Sequence, residues 1–212
     1  MKMNNLCDVP EMFLASNKIE FMTDYNKLTS IYGEEYPVCI KKDVDEGGLS
    51  FKKVLPRRNH LAYNEIYISD AAALIESDNA PYVVMPYLEG PEISIDCLRT
   101  PDGLIAVPRI KESNRVTRLC FNDELISIAS KINANLQISY PYNIQLRHLS
   151  EKLMFMEINL RLSGGAYKDI AVECNFPQLA IDVAYKTPID YSKIFSARKD
   201  KRLVSIEDFA EI

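Results

Sequence analysis

Glu157-Ile-Asn-Leu-Arg161, followed at once by Leu162-Ser-Gly-Gly165, is the stretch on which the reading of this 212-residue chain turns. In a β-strand alternate side chains share a face, so Glu157, Asn159 and Arg161 would project together while Ile158 and Leu160 pack the other way. A carboxylate, an amide oxygen and a guanidinium along one edge can hold a hard cation and a polyphosphate at the same time. A solvent-facing strand of mixed polar residues is the plainer alternative. The preceding run, Leu153 to Met156, is continuously apolar, which suits a buried strand better than an exposed one.

Three upstream segments extend this pattern. Tyr142-Asn-Ile-Gln145-Leu-Arg147 reads as a strand with polar residues at alternate positions. If it pairs with the strand ending at Glu157, Gln145 can reach the same cation as Glu157 and Asn159. One carboxylate and two amide oxygens, completed by phosphate oxygens and water, describe a Mg²⁺ site of the nucleotide-dependent kind. Val83-Val-Met-Pro86-Tyr-Leu88-Glu-Gly-Pro-Glu92 is an apolar strand running into an irregular connection. Such a connection can offer backbone C=O and N–H groups to a base edge, with Glu92 accepting from sugar hydroxyls. Ile40-Lys41-Lys42 leads through Gly47-Gly48 into a second strand ending at Val54. Glycines let backbone N–H groups approach phosphate oxygens, and a lysine supplies a point charge. Gly-x4-Gly-Lys-[Ser/Thr] is absent, so this is no Walker A loop. For both of these last segments an ordinary turn is the alternative.

The remaining elements are mixed α and β, without repeats or low-complexity linkers. Strands are expected at 36–41, 82–85, 93–98, 104–107, 142–147 and 153–158, with Pro101-Asp-Gly103 as a tight hairpin turn. Asn122 can cap a helix carrying Leu125, Ile128, Ala129, Ile132 and Leu136 on one stripe. Ser69 or Asp70 can cap a second helix over 71–75, and Pro177 suits the first turn of a third. The Arg198-Lys-Asp-Lys-Arg202 cluster reads as a solvated loop.

Composition narrows the class. At 47% hydrophobic residues and a net charge of −5, the chain is not disordered and can bury a sizeable core. The acidic balance argues against nucleic acid as the main partner. No stretch approaches the ~20 apolar residues of a membrane helix. Five scattered cysteines without a CxxC pair indicate neither a disulfide framework nor a zinc site but buried reduced thiols, and so a cytoplasmic protein. His60 and His148, the only histidines, read as surface or structural.

In order and spacing, the four segments resemble the ATP-grasp superfamily, specifically carboxylate–amine ligases similar to the large chain of carbamoyl phosphate synthase. Glu157-Ile-Asn-Leu-Arg161 resembles the closing motif Glu-Ile-Asn-Pro-Arg, with Leu160 in place of proline. Pro86-Tyr-Leu-Glu-Gly-Pro-Glu92 resembles Glu-Tyr-Leu-x-Gly-x-Glu, and Pro37-Val-Cys-Ile-Lys41-Lys42 resembles Pro-Val-Val-Ile-Lys-Pro. The lid has two glycines where the family often has three.

The resemblance implies an α+β fold of two subdomains clasping a nucleotide. A smaller, lid-bearing one spans about 15–90, inserted between 1–14 and 91–212, and the family's N-terminal pre-ATP-grasp domain is absent. It implies ATP and one or two Mg²⁺ as cofactors. Lys41 would contact the α and β phosphates, and 46–50, with Gly47 and Gly48, would form the lid. Pro86 C=O and Leu88 N–H would bond adenine, and Glu92 the ribose. Arg109 and Lys111 would face phosphate or the acyl substrate. Gln145, Glu157 and Asn159 would hold the metal, and Arg161 the transferring phosphoryl group. Lys2 would match the lysine opening the family's first helix. The implied activity is ATP-dependent ligation of a small-molecule carboxylate to an amine. The rival expectation is a noncatalytic nucleotide-binding module, or the ATP-binding part of a split enzyme that needs a separate pre-ATP-grasp subunit or a second copy of itself.

Overall fold

The computed structural model describes residues 6–44, 48–56 and 62–206. The expectations for Lys2, Glu46, Gly47 and His60 fall outside these residues. The chain divides into two compact units, Pro10–Glu89 and residues 1–9 with 90–212.

The Pro10–Glu89 unit is a five-stranded sheet with two helices. Its strands are β1 (Phe13–Ala15), β2 (Val38–Lys42), β3 (Lys52–Leu55), β4 (Glu65–Tyr67) and β5 (Tyr82–Pro86), in the order β1-β5-β2-β3-β4. Helix α1 (Lys18–Tyr32) and helix α2 (Ile68–Ser77) cover one face. Phe21, Leu28, Ala71 and Ile75 from the helices meet Val38, Ile40, Val54 and Val84 from the sheet in one core. Strand alternation puts Cys39 and Lys41 on the other face, beside Lys53 and Met85, which the register pairs with Cys39. The unit begins at Pro10 rather than near 15 because β1 pairs antiparallel with β5, Phe13 opposite Val84.

Helix α1 was not among the expected elements, yet it is well signalled. Asn17 Oδ1 accepts from Glu20 N at 2.9 Å while Glu20 Oε2 accepts from Ser16 N at 2.7 Å, a reciprocal N-terminal cap. Helix α2 starts at Ile68, before Ser69 and Asp70, and has no side-chain cap.

The second unit is built on a six-stranded sheet of order β10-β9-β6-β7-β8-β11. Its strands are β6 (Glu89–Thr100), β7 (Gly103–Lys111), β8 (Val116–Leu119), β9 (Tyr142–Leu149), β10 (Lys152–Asn159) and β11 (Lys201–Val204). Between β8 and β9 runs α3 (Asp123–Leu136), and after β10 come a 3-10 segment (Ala166–Val172), α4 (Phe176–Tyr185) and α5 (Tyr191–Ser196). Asn122 caps α3 through a 2.8 Å bond from Leu125 N, and Pro177 sits in the first turn of α4.

The β6–β7 register sets Thr100 against Gly103, so Pro101 and Asp102 are the turn's central residues and Gly103, at φ 137°, opens β7. The basic tail is not all loop: Lys201 and Arg202 lie in β11, paired with β8, and Arg202 bonds Glu112 at 2.7 Å.

The faces of the six-stranded sheet differ. One packs Ile93, Ile95, Cys97, Ile144 and Leu146 against Leu125, Ile128 and Ile132 of α3. The other is apolar only where Leu98, Ile105, Val107 and Leu119 meet Val172, Phe176, Leu179 and Ile194. Farther along the same strands, the residues in step with these are Ser94 and Asp96 on β6 and Arg109 on β7. A polar site therefore grows out of the apolar layer that anchors it.

Candidate functional site

The residue that decides this site is Met156. Phe155 pairs with Leu146 and Glu157 with Gln145, so Met156 is an extra residue with no cross-strand partner. Without that bulge, strict alternation would leave Glu157 on the face of Leu153 and Phe155, packed against the α3 core. With it, Glu157 stands directly opposite Gln145 while Ile158 returns to the core opposite Ile144. Asn159 follows Glu157 on the same face, and its Nδ2 donates to Glu157 Oε1 at 2.9 Å.

Beside this cluster lies a cavity of about 390 Å³ whose lining includes Glu92, Arg109, Lys111, Gln145, Arg161 and Lys168. Glu92 comes from β6, Arg109 and Lys111 from β7, Gln145 from β9. Arg161 is not part of the strand: β10 ends at Asn159, and Arg161 lies in the bend beyond it, exposed, its Nη1 donating to Leu162 O at 3.1 Å. Ser163, Gly164 and Gly165 continue the wall. Lys168, a site residue not among those expected from sequence, donates to Thr117 Oγ1 at 2.7 Å. Its signal was its place three residues after the Gly-Gly turn.

Arg109 departs from the expected picture. It is 3% exposed, and its guanidinium is held at 2.5 Å by both Asp96 and Asp169, each fully buried. Burial works against the arginine's charge, but the two carboxylates outweigh it and raise the pKa. Its charge is thus offset inside the protein, which leaves Lys111, Arg161 and Lys168 as the cations facing the cavity. Asp169 is pushed up to about 8, chiefly by burial, with Arg109 pulling the other way and Asp96 adding to the rise. Neither aspartate was singled out from sequence, because a lone Asp in an apolar strand or a short helical turn carries no spacing signal.

The other expected nucleotide residues belong to the Pro10–Glu89 unit. Lys41 is on β2, on the face away from the helices. Gly48 lies in a turn at φ 71°, in the left-handed region open to glycine, and Phe51 N donates back to its carbonyl at 3.1 Å. Pro86 ends β5, and its carbonyl lies 3.8 Å from Cys39 Sγ. Leu88, just beyond, is buried.

As a metal site, the donor set is hard oxygen: the Glu157 carboxylate, Asn159 Oδ1, left over when Nδ2 turns to the carboxylate, and the Gln145 amide. Mg²⁺ takes few protein ligands when phosphates and water complete its shell, and these residues fit that demand. Among the described residues no group of three or more His, Cys, Asp or Glu side chains is placed to hold a metal, so one carboxylate and two amides are the available set.

The fold is that of the ATP-grasp proteins. A carboxyaminoimidazole ribonucleotide synthase from Aspergillus clavatus, solved with ATP, superposes with a TM-score of 0.65 at 13% identity over 91% of this chain and 51% of its own. Biotin carboxylase from Campylobacter jejuni gives 0.62 at 15% identity, over 89% and 45%, and an L-amino acid ligase from Bacillus licheniformis 0.57 at 14%, over 93% and 48%. The chain thus spans about half the length of these structures. Residues 78–209 match the family described as ATP-grasp in the biosynthetic pathway with Ter operon, and the chain belongs to that family. No curated protein matches it.

Proposed function

We propose that this chain binds ATP with Mg²⁺ and activates a small-molecule carboxylate as an acylphosphate for attack by an amine. The observation that carries this reading is the bulge-directed meeting of Gln145, Glu157 and Asn159 beside the cavity that Lys111 and Arg161 line. A carboxylate oxygen attacks the γ-phosphorus and ADP leaves; the amine nitrogen then attacks the acyl carbon, expels inorganic phosphate and loses a proton. Gln145, Glu157 and Asn159 would hold Mg²⁺, which would supply charge neutralisation at the phosphate oxygens.

The side chains do the rest by placement. Arg161 offsets charge on the transferring phosphoryl group, and Lys111 orients phosphate or the carboxylate. Lys41 holds the α and β phosphates, Gly48 belongs to the lid, Pro86 C=O and Leu88 N–H take the adenine edge, and Glu92 the ribose. Arg109 supports the site from beneath rather than touching substrate. Buried reduced thiols agree with a cytoplasmic setting, and no helix among the described residues is long and apolar enough to cross a membrane. The names of the solved neighbours, a synthase, a carboxylase and a ligase, agree with ligation chemistry.

The length comparison supports a second reading, an ATP-handling module that completes its substrate site with a separate subunit or a second copy. Calorimetry with MgATP tests the shared premise: wild type binds and Glu157→Ala loses at least tenfold. If the two bind alike, the assignment fails. Phosphate release across a panel of carboxylates and amines separates the readings, since the ligase releases phosphate alone and the module does not.

A further inference from the structure

Beneath the turn that follows Arg161 lies a buried polar cluster that the proposed chemistry does not use. Asp96 Oδ2 and Asp169 Oδ1 each lie 2.5 Å from an Arg109 guanidinium nitrogen. Asp96 is fully engaged: Oδ1 accepts from Asn143 Nδ2 at 2.9 Å and Ser163 N at 3.1 Å, and Oδ2 accepts from Ser163 Oγ at 3.0 Å as well as from Arg109. Ser163 Oγ in turn accepts from Arg109 Nη2 and from Gly165 N, the latter at 3.2 Å. One serine thus ties the turn to Asp96 and Arg109 of the sheet.

We propose that Asp96 and Asp169 are positioning residues that lock Arg109 under the Ser163–Gly165 turn and, through Ser163, aim Arg161 at the terminal phosphate of the nucleotide. The proposal rests on reading the cavity as a nucleotide site. Among the described residues the Arg161 guanidinium bonds the carbonyl of its own neighbour, Leu162. The course of the backbone at 162–165 therefore decides where its guanidinium points. Asp96 grips the start of that turn at Ser163. Asp169 grips Arg109 from the 3-10 segment that opens at Ala166, where Ala166 N and Lys168 N bond back to Ser163 O and Gly165 O at 3.2 and 3.0 Å. The arginine joins the two ends: a beam between carboxylates, with a polar network satisfied at Asp96 and rigid for that reason.

The experiment compares dissociation constants for MgATP and MgADP by calorimetry on the full chain, because their ratio isolates contact with the terminal phosphate. Ser163→Ala and Asp96→Asn are expected to weaken MgATP roughly tenfold, the scale of one charge-assisted hydrogen bond, with MgADP held within about twofold. Their ratios approach that of Arg161→Ala, and Ser163→Thr, which keeps the hydroxyl, restores the ratio. Asp96→Asn disturbs a buried charge pair, so Ser163→Ala decides the matter should the other variant not fold. If Arg161→Ala loses the preference for ATP while Ser163→Ala keeps it, the positioning role is overturned and the nucleotide reading stands. If both nucleotides weaken together with a fall in Tm, the cluster is merely structural and the proposal fails. A wild-type chain that binds neither nucleotide, or does not distinguish them, removes the reading of Arg161 and the proposal with it.

Discussion

At the residue scale, Asp169 makes the sharpest statement about pH. Its carboxyl titrates near 8 in the folded protein against about 4 unfolded, and its Oδ2 is buried without a partner, the place a proton would occupy. The folded state therefore holds a proton that the unfolded state releases between those values. Linkage then makes stability highest below the unfolded pKa, lets it fall as pH rises toward 8, and leaves it flat beyond. Asp169→Asn mimics the protonated form and removes this contribution. We expect the Tm difference between the variant and wild type to shift in the variant's favour from pH 5 to pH 8, followed by calorimetry in matched buffers. A difference that stays constant over that range would contradict the assignment.

At the element scale, the β10 bulge carries the site. Deleting Met156 removes the extra residue, so Glu157 follows Phe155 in ordinary alternation and stays opposite Gln145, and Met156→Ala keeps the bulge. Both variants are therefore expected to retain MgATP binding by calorimetry within about threefold, and a tenfold loss in the deletion would contradict the reading of Met156 as the extra residue. The α3 cap gives a second check: Asn122→Ala removes the bond to Leu125 N and should cost about 1 kcal/mol in urea unfolding. These two elements also show what sequence can and cannot reveal. The α3 stripe and its cap are local patterns and were readable from spacing alone, as were all six expected strands. A bulge has no local signature; only the register opposite Gln145 shows that one residue is extra. The β11 strand escaped notice because its partner, β8, lies some eighty residues upstream and its own sequence is basic. Asp96 and Asp169 escaped because what makes them matter is a partner far away in the chain, Arg109.

At the scale of the whole molecule, each unit has its own apolar interior. Phe21, Leu28 and Ile75 belong to one, and the α3 and α4 layers to the other. Leu28→Ala, at a fully buried position, should destabilise the Pro10–Glu89 unit by about 2–5 kcal/mol. Hydrogen exchange should then show amides of β2 and β5 losing protection while those of β6 and β9 keep theirs. Equal loss in both sheets would show a single cooperative unit instead. The five thiols are shared between the units, and all of them are buried and outside any disulfide. Burial raises Cys7 to about 11 and Cys174 to about 12, far from the thiolate form at neutral pH. Maleimide chemistry should therefore find almost no native target. A cysteine introduced at Leu49, which is 84% exposed next to Gly48, would take a fluorophore alone, and the turn's response to nucleotide could be watched in solution without first stripping the protein of its own sulfur.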